Sequence, residues 1–258
     1  MRGDFSIPLT SMFGFLLVLA RVAGTFVFVP LPGIKNGPDN ARIVLALAVS
    51  VSLYSLWPRV EGLDQNILKL SGYLLMEAAL GVTIGLAVAF VVEALQMAAQ
   101  ITGLQAGYGY ASTIDPNTQA DSGILLVIAQ LTAGMLFFAM GLDREVLRAV
   151  ATSLRTYPPG QPFLTPHVAA EFTRLGASMF STGLRLAMPA IALLMLVDLA
   201  LALLGRLNAQ LQLLTLAFPV KMLISLALLA WISVLYPRVF AGYARTVMQT
   251  TQAFVHAR

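Results

Sequence analysis

The chain alternates long apolar runs with short polar breaks, and six of the runs approach the length of a membrane-crossing helix. A bilayer core about 30 Å thick asks for roughly 20 predominantly apolar residues in helical form. The first run covers residues 5–30, contains Arg21 and gives way to PLPGIKNGPDN, whose prolines and glycines cannot continue a helix. The second, residues 41–57, is stopped by Pro58. The third, residues 68–99, is the longest and holds Glu77 and Glu93, whereas the fourth, residues 123–142, has no interior charge. The fifth, residues 175–204, contains Arg185 and Asp198, and the sixth, residues 211–236, contains Lys221 and is closed by Pro237. This pattern predicts an all-α, polytopic membrane-type protein of about six apolar helices arranged as hairpins. The length predicts one domain over residues 1–258.

Composition strengthens that picture. Hydrophobic residues make up 58% of the chain and charged ones only 11%, too few to cover a soluble globule of this size. Mean hydropathy is +0.81. The net charge of +4 does not point to nucleic acid, because the basic residues are scattered singly between apolar runs rather than gathered on one tract. There is no cysteine, which removes disulfides, thiol nucleophiles and cysteine metal sites, and both histidines, His167 and His256, lie outside the apolar runs. The amino-terminal run reads as a retained first helix, since Asp4, Arg21 and the lack of a small-residue cleavage site argue against a signal peptide. Ten Lys and Arg residues fall with the termini and the second and fourth connections, against three on the other side. With six conventional spans this places both termini in the cytoplasm.

The connection QITGLQAGYGYASTIDPNTQADSG, residues 100–123, is uncharged until Asp115 and unlike an ordinary surface loop. Gly103, Gly107 and Gly109 allow close backbone approach or positive φ, Tyr108 and Tyr110 alternate with them, and Asp115-Pro116 ends any helix before Gly123. Irregular backbone at membrane depth is tolerated only when buried in protein or lining a water-filled cavity. A gating loop and a plain extramembrane turn both fit. In the third run Glu77, Gly81, Gly85, Ala89 and Glu93 recur at intervals of four, the register in which small residues let helices approach closely. Each such step advances about 40°, so the two glutamates do not form one acidic site. Arg185 and Asp198, 13 residues apart, lie on roughly opposite faces of one helix, and each needs a different partner. Charges inside apolar helices face partners or cavities; Arg21 reads as close enough to a segment end to be structural or snorkelling.

Enzyme signatures are missing: there is no His-Glu-x-x-His, no Gly-x-Ser-x-Gly and no phosphate-binding loop, so no catalytic, cofactor or metal residue is expected. Only one region is strongly interrupted, where a secondary transporter would show matching breaks in two halves.

Four stretches together resemble the FliR family, the export-gate component of bacterial flagellar type III secretion, whose injectisome relatives are the SctT proteins. They are RVAGTFVFVPLPGIKNGPDNARIVLALAVS, QITGLQAGYGYASTIDP, GLRLAMPAIALLMLVDLALALLGRLNAQLQ and LAFPVKMLISL, and they follow the family's order over nearly the whole chain. One departure is RLNAQ, with Ala209 where the family usually has proline. The resemblance implies a non-enzymatic subunit that joins FliP-like and FliQ-like proteins, with an FlhB-like associate, in a helical export-gate assembly passing unfolded proteins. It implies a place in the bacterial inner membrane at the flagellar basal body, in contact with lipid. It also implies that residues 107–123 plug the closed gate, and makes Glu77, Glu93, Arg185, Asp198, Arg206 and Lys221 candidate buried charges for subunit contacts. The injectisome homologue and, from another class, a secondary transporter are the alternatives.

Overall fold

The structure is a computed structural model that describes residues 9–30, 40–58, 67–108, 124–159, 165–207 and 213–256. Every regular element among them is helical: α1 (Leu9–Phe28), α2 (Asn40–Ser52), a short 3-10 turn (Tyr54–Leu56), α3 (Ile67–Ala106), α4 (Ile124–Ala139), α5 (Leu142–Thr156), α6 (Pro166–Leu207), α7 (Leu213–Ile232) and α8 (Tyr236–His256). The all-α expectation holds. The helix boundaries differ from the apolar runs in four places, each for a local reason.

Helix α3 does not stop near Ala99. It continues through QITGLQA to Ala106, because nothing before Gly107 breaks it, so Gly103 is helical and not part of a loop. The fourth run ends at Ala139, where Gly141 adopts φ +68° and starts a new helix in another direction. That new helix, α5, occupies a region expected to be a bend or hydrophilic connection. Its buried residues Leu142, Val146, Ala149, Val150, Ser153 and Leu154 recur at helical spacing, and Asp143 and Glu145 at its start with Arg155 at its end complement the helix dipole. The next helix begins early as well. Thr165 accepts the Val168 N–H at 3.3 Å as an N-cap, and Pro166 fills the first helical position, where its missing N–H costs nothing. Finally, Pro237 does not close the sixth run. It stands in the first turn of α8, a helix too polar to form an apolar run.

Among the described residues three helices are long and apolar enough to cross a membrane, Thr10–Phe28, Leu68–Ala106 and Pro166–Arg206, or up to five if each of two bent pairs counts as one span. Helix α2, with 13 residues, is too short. The expectation of six conventional spans is therefore corrected, and the placement of both termini that relied on it no longer follows.

The chain divides into two compact units, one of Met1–Phe90, Phe138–Gly176 and Ala244–Arg258, the other of Val91–Phe137 and Ala177–Tyr243. The first has its core in Leu17, Val18 and Val22 of α1, Ile84 and Val88 of α3 and Val146 of α5. Phe90 packs on Phe172 with ring centroids 5.4 Å apart. The second has its core in Val91 and Leu95 of α3, Leu125 and Phe137 of α4, Leu194 of α6 and Leu228 of α7.

Candidate functional site

The small-residue register of α3 does in the first unit what its spacing predicts. Side chains added at Gly81 or Gly85 would run into the carbonyl oxygens of Arg21 and Thr25, and one at Gly24 would come within 2.5 Å of the Ala78 carbonyl oxygen. The backbones of α1 and α3 therefore touch, which only glycine at these crossing points permits. One consequence is that Arg21, far from snorkelling, is trapped. Its side chain is wholly buried; Nε donates to Glu77 Oε2 at 2.6 Å, Nη1 to Ser153 Oγ at 3.1 Å and Nη2 to the Tyr157 carbonyl at 2.9 Å. All three nitrogens of the guanidinium are satisfied, as burial of a charge requires. The cluster joins α1, α3 and the end of α5, and the partners Ser153 and Tyr157 lie in a stretch the sequence alone did not mark.

In the second unit the polar side chains collect at the carboxy-terminal end of α3. The Gly107 N–H donates to the Leu104 carbonyl at 3.1 Å and the Tyr108 N–H to the Gly103 carbonyl at 3.1 Å, the paired bonds of a Schellman end, which needs the left-handed φ of +88° at Gly107. A side chain at Gly107 would also meet Phe218 of α7 at 2.8 Å. The Tyr108 hydroxyl donates to the Met222 carbonyl at 3.1 Å. One residue from Met222, Lys221 forms an ion pair with Asp198 of α6, and Gln105 Nε2 reaches the other carboxylate oxygen of Asp198 at 3.5 Å. Further along α3, Gln96 is buried and accepts from Gln130 of α4 at 3.2 Å. The end of α3 is thus fastened to α6 by the Gln105 hydrogen bond and to α7 by the Tyr108 one, while the Asp198–Lys221 ion pair joins α6 to α7 beside it.

Of the candidate gating residues, Gly103 lies inside α3, Gly107 and Tyr108 form its end, and Gly109, Tyr110, Asp115, Pro116 and Gly123 lie outside the described residues. Of the six candidate buried charges, Glu77 is buried and paired with Arg21, and Asp198 and Lys221 are half-buried and paired with each other. Glu93, Arg185 and Arg206 are exposed in this chain. Each sits at a helix position that points away from its own unit's core. Among the described residues no group of three or more His, Asp or Glu side chains is arranged to hold a metal ion.

Both clusters fall inside the length of chain that one family model matches. The model of the family described as bacterial export proteins, family 1, matches residues 12–247. The chain belongs to that family, the FliR proteins. The flagellar biosynthetic protein FliR of Escherichia coli strain K12 is 26% identical over 214 residues, covering 82% of this chain and 81% of the relative. FliR of Bacillus subtilis strain 168 is 28% identical over 223 residues, covering 83% and 84%, and FliR of Caulobacter vibrioides is 26% identical over 215, covering 83% and 86%. The family match begins within α1 and ends within α8, so it takes in both the Arg21 cluster and the end of α3.

Proposed function

We propose that this protein is a structural and gating subunit of the bacterial flagellar type III export gate, acting over residues 1–258 as one functional unit without catalysis. The observation that carries this reading is the match of the export-protein family over residues 12–247, with relatives of almost equal span that are flagellar biosynthetic proteins. Its partners are FliP-like and FliQ-like subunits that complete a pore for unfolded proteins, with an FlhB-like protein beside them, in the inner membrane at the flagellar basal body. The exposed charges Glu93, Arg185 and Arg206 are available for contacts with those subunits. Residues 107–123 plug the closed pore. The anchoring of Gly107 and Tyr108 against α7 supports this, since a plug must be held at a firm root.

Co-purification tests the assembly. The tagged chain, extracted with its native membrane, is expected to bring down FliP-like and FliQ-like proteins in fixed proportion, and recovery as a lone chain would sink the gate reading. Bulky substitution at Gly107 tests the plug: export or ion leak should change while the complex still assembles. If instead the partners recovered belong to an injectisome, the flagellar assignment gives way to its homologue in that system.

A further inference from the structure

Over residues 91–106, all within the second unit, α3 is covered nearly all round, with one narrow exception. Glu93, Gln100 and Leu104 are the exposed residues of that stretch, and Leu104 is 67% exposed. Their spacings of seven and four keep Gln100 and Leu104 within about 20° of the direction of Glu93, on a line about 16 Å long. The helices on either side of this line are fixed by contacts. On one, Gln130 of α4 donates to Gln96 at 3.2 Å, and Leu125 lies 3.8 Å from where a side chain at Gly103 would start. On the other, a side chain at Gly183 of α6 would come within 2.9 Å of the Ala94 carbonyl oxygen and 3.1 Å of the Met97 sulfur. The open strip runs between α4 and α6.

The chemistry of the strip differs from that of its neighbour. Helix α4 carries no charge and exposes Val127, Leu131 and Met135, whereas the strip opens with a carboxylate and an amide. Whatever covers a carboxylate must bring an opposite charge or leave it stranded, and whatever covers an amide must offer it a donor or an acceptor. The spacing adds the shape of the cover. Seven residues are two helical turns, and side chains at intervals of seven and four form the seam along which one helix meets another lying beside it. Polar residues in such a seam set register and choice of partner, while the apolar ones supply most of the hold.

We infer that the strip of Glu93, Gln100 and Leu104 seats an apolar helix of a neighbouring subunit, which brings a lysine or arginine to Glu93 and a hydrogen-bonding side chain to Gln100. The occupant carries these two polar residues about two turns apart on one face, with an apolar residue about one turn further on to meet Leu104. A helix that slides by one turn puts an apolar side chain over the carboxylate, so the pair of polar contacts acts as a register key. The inference rests on the gate reading, because it needs a partner subunit, and it adds the face that is used and the chemistry that answers it.

The chain has no cysteine, so Gln100→Cys and Leu104→Cys each place a single thiol on the strip for a photocrosslinker, in the complex extracted with its native membrane. Both are expected to capture one apolar helix of the same partner, at residues about one turn apart, with a lysine or arginine about two turns from the residue captured through position 100. Glu93→Arg sets two positive charges face to face and should lower recovery of that partner at least about tenfold. Because Glu93 is exposed, the unfolding midpoint of the isolated chain should stay where it was. Reversing the captured base to glutamate should restore recovery. Capture of an exported polypeptide or of lipid, a captured helix with no base at that interval, or no capture in a complex that holds its partners overturns the seat and leaves the gate reading standing. Full recovery with Glu93→Arg does the same, as does a loss accompanied by a lowered midpoint that reversal of the base fails to repair. Recovery of the unaltered chain without any partner overturns the gate reading, and the seat with it.

Discussion

Two of the ion pairs among the described residues, Arg21–Glu77 and Lys221–Asp198, use the same chemistry to opposite ends. Arg21 and Glu77 are shut away in the first unit, with side chains 0% and 4% exposed, held between helices whose backbones touch. Lys221 and Asp198 in the second unit are 16% and 42% exposed and sit beside the last turn of α3. Taking a charge out of water costs several kcal/mol per ion, and the buried pair recovers this only because every donor nitrogen of Arg21 has a partner. The open pair faces a small desolvation cost and a small Coulombic gain, and is worth at most about 1 kcal/mol. The first is a fixture. The second can be broken and re-formed cheaply.

Removing one partner of each pair should separate them clearly. The largest effect is expected from Glu77→Ala, which strands a buried guanidinium and should lower stability by about 3–5 kcal/mol, read as a fall in the unfolding midpoint of the solubilised protein. A paired replacement, Arg21→Met with Glu77→Leu, should recover most of that loss; if it is as damaging as the single change, the charge is not the reason for the cost. Next comes Gly81→Ala, which adds a methyl group against the Arg21 carbonyl and should cost about 1–3 kcal/mol by the same measurement, although alanine is the better helix former. A neutral result would mean that α1 and α3 do not touch as described. Gly107→Ala is expected to cost about 1–2 kcal/mol from the left-handed backbone, before any contact with Phe218 is counted. The smallest stability change, under about 1 kcal/mol, belongs to Asp198→Asn. Its export phenotype should nevertheless exceed that of a surface change of equal stability cost, and equality of the two would erase the distinction drawn between the pairs.

How much of this was legible beforehand depended on whether the signal was local. The glycines at 81 and 85 announced a close helix crossing by spacing alone, and Asp198 was seen to need a partner other than Arg185. Nothing in the sequence said that the partner was Lys221, 23 residues on, or that Arg21 faced Glu77 across 56 residues, because pairing at that distance is decided by packing. Helices α5 and α8 went unread for another reason. Apolar runs mark helices that are greasy all round, whereas these two are amphipathic, with only one buried stripe each. Pro237 and Gly141 misled in complementary ways: the proline opened a helix where it was expected to close one, and the glycine broke a run that looked continuous.

The length of α3 carries a cost in the life of the cell. Leu68 and Leu104 are both exposed, 82% and 67%, near opposite ends of one helix. They are 36 residues apart, about 54 Å along the axis at 1.5 Å per residue, and a hydrocarbon layer about 30 Å thick cannot cover both while the helix stands upright. An upright α3 would therefore leave apolar surface outside that layer. If the proposed partner subunits cover that surface, copies that fail to find them leave it bare, and the abundance of this protein should follow the supply of its companions and not its own rate of synthesis.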